Sequence, residues 1–354
     1  MAQLLFPASV VGSMPRSTFV QDLINDKPPL PSECYEAKMD AAVRYIVAVQ
    51  EHAGLDVVTD GEWRRKSYIG VIAELAHGFE LTYNPEDGRP WTVVVDELTP
   101  RQPGFIAREI SFLKGITSRK IKATLPAPAL LGERMWHPEK SAKAYPTRDD
   151  FVRACVPILR RELELIRQAG ADIIQIDDPH LCLFVDPEVR AQYPDANAAA
   201  DFAVDMVNAV VDGCGNVTLA VHLCRRAGAR ARGEAQFHGG YGPIINQLNR
   251  LQVQHLTMEF TAPGAGDMAV FKTLREDFEI GLGCVSVTPG QIDSPDTIAA
   301  RVRQATNFLA PERIVLNPDC GFAPGSGAAV SIDEAYRKLC NEVAAARMLS
   351  EEFA

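Results

Sequence analysis

Eight short runs rich in Val, Ile and Leu punctuate this chain, most ending in polar, Gly or Pro residues and followed by a longer stretch with helical spacing of apolar positions. That alternation points to parallel strands, because a strand that returns in the same direction needs a long crossover, usually a helix. The runs are Ala8 to Gly12, Asp56 to Asp60, Lys120 to Pro126, Asp172 to Asp177, Asn216 to Cys224, His255 to Phe260, Glu279 to Val287 and Arg313 to Pro318. Helices are expected over Glu36 to His52, Arg148 to Ala169, Ala198 to Asp212, Tyr241 to Leu251, Asp296 to Asn307 and Ile332 to Met348. Eight such units suit an α/β chain closed as a (β/α)8 TIM barrel inside a ring of helices, with a doubly wound open sheet as the rival.

The stretch from Arg64 to Ser118 is too long for one crossover. It contains TYNPEDGRPWTVVV, where Asp87-Gly88 between β-rich flanks predicts a hairpin inserted after the second strand, a flap over about 78–112. No repeat or Pro/Gly/Ser linker divides the chain, so residues 1–354 read as one catalytic barrel.

With 36 Lys and Arg against 46 Asp and Glu, the formal charge is -10, and no basic field favours nucleic acid or an anionic membrane as partner. No apolar run reaches the roughly 18 residues of a membrane span. The start MAQLLFPASVVGSMPRS has neither a basic n-region nor a small-residue cleavage site, so a cytoplasmic protein is expected, with its oligomeric state open. Eight cysteines scattered through 354 residues are not the dense framework of a small secreted domain. In a reducing compartment they read as free thiols or metal ligands.

Unusual polar residues fall at or just beyond the C-terminal ends of the expected strands: Ser13, Glu62, Asp177, His222, Cys224, Glu259 and Cys320. In a barrel that rim carries the active site. His222 and Cys224 are two apart, so a strand would point both to one face, where they could share an ion. The pair alone is more often a packed thiol beside a hydrogen-bonded histidine. Glu259 ends an apolar strand, where an unpaired carboxylate is costly and a cation is one remedy. Cys320, between Asp319 and Gly321, looks positioned by a turn. Two thiolates, an imidazole and a carboxylate favour zinc over magnesium or calcium, and zinc would lower the pKa of a substrate thiol.

These residues resemble the catalytic barrel of cobalamin-independent methionine synthases and their short, single-barrel relatives. The resemblance spans nearly the whole chain, through VVGSMPRS, VVTDGEWRR, IIQIDDP, HLC, MEF and LNPDCGF in that order. It implies a Zn2+ site of His222, Cys224, Glu259 and Cys320, and places Ser13, Glu62 and Asp177 around the amino and carboxylate groups of homocysteine. The reaction implied is alkyl, foremost methyl, transfer to a small-molecule thiol, with methyl-tetrahydrofolate among the donors, as in methionine biosynthesis.

The chain departs from the family in one segment. Where full-length synthases carry a histidine thought to protonate the folate leaving group, GLGCVSVTPG has Thr288, which cannot supply that proton at neutral pH. Arg225, Arg226, Arg230 and Arg232 crowd the stretch after Cys224, and Arg225 is the first choice to clamp an anionic group of a substrate. A zinc-dependent transferase that opens an epoxide, resembling the coenzyme M transferases, is therefore a second reading. A metal-free decarboxylase resembling uroporphyrinogen decarboxylase is a third, and a zinc-binding module without turnover a fourth. Trp63, Tyr68, Trp136 and Tyr241 are left between donor stacking and core packing. Neither PGAGDM nor GFAPGSG has the spacing or the lysine of a nucleotide loop.

Overall fold

The computed structural model describes residues 5–25, 29–83, 90–227, 237–262, 264–323 and 330–354. Among these residues, seven parallel strands form one sheet in the order β1-β4-β5-β6-β7-β8-β9. They are β1 (Val57–Val58), β4 (Lys120–Pro126), β5 (Ile173–Asp177), β6 (Thr218–Leu223), β7 (His255–Glu259), β8 (Glu279–Val285) and β9 (Ile314–Pro318). β2 (Ala76–Tyr83) and β3 (Pro90–Pro100) pair as a separate antiparallel hairpin. Its expected turn, Asp87-Gly88, lies outside the described residues. The remainder of the expected flap is the helix Phe105–Lys114, whose Ile106, Ile110 and Leu113 join the main core.

The expected first strand, Ala8 to Gly12, is replaced by a single bridge from Ala8 to Leu316. The short segment still touches both edges of the sheet: Leu316 donates to Pro7 and Ser9 to Leu316, while Asp56 and Val57 donate to the Ala8 carbonyl. A ladder stops there because the next three carbonyls turn to side chains. Val10 accepts from Lys122 Nζ at 2.6 Å, Val11 from Gln175 Nε2 at 3.0 Å and Gly12 from Thr59 Oγ1 at 2.7 Å. The expected strand Asp56 to Asp60 shrinks to two residues for a similar reason. The Gln50 amide bonds both the N–H and the carbonyl of Thr59, standing where a neighbouring strand would stand.

Helices occupy the expected stretches, among them Ser32–Ala53, Arg148–Gln168, Ala196–Val211, Pro295–Thr306 and Ile332–Phe353. Thr147 and Asp150 form a reciprocal capping box that starts Arg148–Gln168. Tyr241 to Leu251 is a 3-10 turn, Gly242–Ile244, followed by the short helix Ile245–Arg250. Among the described residues, no helix is long and apolar enough to cross a membrane.

Candidate metal and substrate site

Asp177 and His222 are opposite one another in the register of β5 and β6, each near its strand's C-terminal end. Cys224 follows β6 by one residue and Cys320 follows β9 by two. β7 and β8 separate β6 from β9 in the sheet. Even so, Cys320 Sγ lies 3.6 Å from Cys224 Sγ, which requires the sheet to curl so that these strand ends face each other. One ligand atom each from His222, Cys224 and Cys320 lies within 4.8 Å of the other two, and all three residues are buried. Glu259 is not one of that trio. It stands alongside, fully buried at the end of β7, with Oε2 accepting the Arg225 amide at 2.7 Å.

The donor set fits zinc on three counts. Two sulfurs held tetrahedrally at the usual ~2.3 Å from one zinc stand about 3.8 Å apart, close to the spacing of these thiols and far beyond the ~2.05 Å of a disulfide. His222 Nε2 is buried without a hydrogen-bond partner, as an imidazole nitrogen reserved for an ion would be. His222 Nδ1 lies 3.1 Å from Asp177 Oδ1, the carboxylate–histidine arrangement that orients a metal-ligating ring.

Charge within the trio is uneven. The Cys320 thiol donates to Cys224; that bond and His222 hold Cys224 well below the usual thiol range despite burial. Cys320 is pushed up by the same bond, then by burial. Burial pulls His222 down, but the Cys224 thiolate and Asp177 outweigh it and raise the imidazole to about 10. In the metal-free protein near neutral pH, Cys320 and His222 therefore hold protons that a metal must displace, whereas Cys224 is already ionised. Zinc binding should release about two protons per ion and strengthen as pH rises toward the His222 value. Calorimetry in buffers of different ionisation enthalpy reads this number directly; release of none would contradict the assignment.

Beside the trio are two buried carboxylates, Asp177 and Glu62. Glu62 is a non-glycine residue at φ 59°, a left-handed conformation that is strained and concentrates at functional sites. Its carboxylate accepts from Thr124 Oγ1 at 2.7 Å, and Arg16 donates to its carbonyl at 2.7 Å. Arg65, buried in a forked pair with Glu109, also donates to Thr124 and so braces this wall. Burial raises the Glu62 pKa, Arg65 opposes it, and Asp177 adds like-charge repulsion. Two buried carboxylates that repel each other invite a cation between them. Ser13 accepts from the Ala323 amide through Oγ and from the Phe322 amide through its carbonyl. Gly321 permits this approach, since a Cβ there would fall 2.2 Å from Ser13 Oγ.

Arg225 does not point to an anion site. It is fully buried, donates to the carbonyls of Gly239, Ala265 and Glu259, and lies over the Tyr241 ring at 4.5 Å. Arg226, at φ 52°, lies over Phe237 instead, and Arg230 and Arg232 fall outside the described residues. Three of the four aromatics left open are structural: Trp63 donates to Met14, Trp136 to Tyr145, and Tyr241 packs under Arg225. The Tyr68 phenol is pushed up by burial and then by the charge of Cys224. Arg65, Thr124 and Gln175 went unnoticed in the sequence, since none stands out by type or spacing.

The family model for the cobalamin-independent synthase catalytic domain matches residues 6–348. The chain is 26% identical to a methionine synthase of Saccharolobus islandicus, over 98% of this chain and 96% of that one. It is 27% identical to a methionine synthase of Pyrococcus abyssi, over 98% and 94%. Its fold is similar to that of a B12-independent methionine synthase from Shewanella sp. W3-18-1 in complex with selenomethionine, with a TM-score of 0.79, 19% identity and 99% of both chains covered. A methyltransferase from Methanosarcina mazei gives 0.57 at 16% identity, over 99% and 95%. With the family model spanning nearly its whole length, the chain belongs to the family of the cobalamin-independent synthase catalytic domain.

Proposed function

We propose that this protein is a zinc-dependent methyltransferase acting on a thiol such as homocysteine, built as one (β/α)8 domain whose first strand is reduced to the Ala8 bridge. The observation that carries the reading is the trio of His222, Cys224 and Cys320, with its 3.6 Å sulfur pair and orphaned imidazole nitrogen, set beside Glu62 and Asp177. His222, Cys224 and Cys320 hold the ion, with Glu259 as the fourth ligand. When bound, zinc supplies Lewis-acid activation of the substrate thiol.

The chain's own residues position the rest. Asp177 and Glu62 take the substrate ammonium, which relieves their mutual repulsion. The Ser13 hydroxyl, which accepts from the Ala323 amide and keeps its own proton to donate, receives the substrate carboxylate. Arg225 fastens Glu259 and the loop after Cys224 rather than touching substrate. Glu62→Gln keeps size and removes charge, so it should weaken homocysteine binding by on the order of tenfold while zinc content stays at one per chain, because hydrogen bonds to charged groups are worth about 1.5–3 kcal/mol. Titration of the thiol against zinc-loaded protein tests this, and unchanged affinity would point to a thiol without an amino group.

One feature favours a donor other than methyl-folate. Thr288 is exposed, and its side chain carries no proton that it could give up at neutral pH. A donor whose leaving group departs without protonation suits this rim better.

A further inference from the structure

Gln175 lies on β5 inside the sheet, fully buried, two residues before Asp177. Its amide orientation is dictated by its neighbours. Nε2 reaches Val11 O at 3.0 Å and Asp177 Oδ1 at 2.8 Å, and both are acceptors, so the nitrogen and not the oxygen must face them. Asp177 Oδ1 is the same oxygen that meets His222 Nδ1 at 3.1 Å. One carboxylate oxygen thus takes two donors from the protein, and Oδ2 is left out of both bonds. Behind Gln175 the polar column continues: Oε1 lies 3.5 Å from Thr257 Oγ1, Thr257 is 3.1 Å from His255 Nε2, and His255 Nδ1 is 2.7 Å from Glu279 Oε2.

We propose that Gln175 is a positioning residue that sets the division of labour at Asp177, pinning Oδ1 to the metal ligand His222 and turning Oδ2 toward the substrate ammonium. This rests on the reading of His222 as a metal ligand. A buried carboxylate with one donor can rotate to share both oxygens with it; a second donor on the same oxygen, anchored to the backbone at Val11, removes that freedom. His222 then keeps Nδ1 bonded to Asp177 Oδ1, which holds the ring with Nε2 directed at the ion. Metal and amino acid are thereby coupled through a single side chain, and each should tighten the binding of the other.

The test is Gln175→Met, which keeps length without a donor, and Gln175→Glu, which keeps shape and places an oxygen against two acceptors. Zinc affinity is read by competition with a chromophoric chelator, homocysteine affinity at saturating zinc by calorimetry, and thermal midpoint on the zinc-free protein. Removing an outer-shell partner of a ligating histidine commonly costs 10–100-fold in metal affinity, so a loss of about tenfold in zinc affinity is expected in both variants. Homocysteine affinity should fall with it, and the zinc-free midpoint should not account for either. A zinc affinity within about twofold of the parent's in a folded variant overturns the proposal, whatever the midpoint; Gln175→Glu decides if the methionine variant does not fold. If His222→Ala leaves zinc affinity unchanged, the underlying metal reading has failed instead.

Discussion

Replacing Cys320 with serine is expected to lower zinc affinity by on the order of 10²-fold or more and to abolish thiol methylation. Structural zinc sites in small peptides bind with about 10–16 kcal/mol at neutral pH, shared among four ligands, so losing one thiolate removes about 3 kcal/mol or more. Cys155→Ala serves as the control, because Cys155 is equally buried but sits in the helix Arg148–Gln168, away from the trio. Elemental analysis and chelator competition on both variants check the prediction. Zinc retained with parental affinity in Cys320→Ser would show that the trio is not the metal site.

Thr288 carries the other large effect. The N5 leaving group of methyl-tetrahydrofolate is a poor anion and needs a proton as its bond to the methyl group breaks, and general-acid catalysis is commonly worth about 10²–10⁴-fold. The protein should therefore transfer methyl groups from folate slower by a factor of that order than from a donor that leaves unaided. Thr288 lies in the turn after β8, where its N–H donates to Ser286 Oγ at 3.2 Å and its carbonyl accepts from Lys338 Nζ. Thr288→His should raise folate-dependent turnover if the rim admits a pterin. Initial rates of methionine formation with each donor decide the matter, and robust folate-dependent turnover by the parent protein would refute it.

Much of the site was legible before the structure because it depends on strand ends. A residue that interrupts an apolar run at its C-terminal end is placed at the rim by the fold alone, which is why Asp177, His222, Cys224, Glu259 and Cys320 could be picked out together. The trio that converges is part of that set. What was illegible depends on neighbours that only the curl of the sheet supplies. Nothing local in IIQIDDP says that the glutamine faces inward to Val11 and Asp177, or that the strand's last residue pairs with His222 rather than with another rung. Arg225 was misleading for the same reason: its guanidinium follows carbonyls from residues 239, 259 and 265, and no pattern near position 225 announces them. The first strand failed because apolar content predicts a strand while backbone partners decide it. Lys122, Gln175 and Thr59 take the carbonyls that a ladder would have used.

A substrate thiol is expected to become a ligand of the ion held by His222, Cys224 and Cys320. Cobalt substituted for zinc makes that step visible, because each thiolate bound to cobalt adds intensity to the ligand-to-metal charge-transfer band. Two protein thiolates should give a band in the cobalt-loaded protein, and homocysteine should increase it by about half as a third thiolate joins, with release of a proton. Selenomethionine or methionine, which present no thiol, should leave the band unchanged. A band that does not grow with homocysteine or any other candidate thiol would contradict the account.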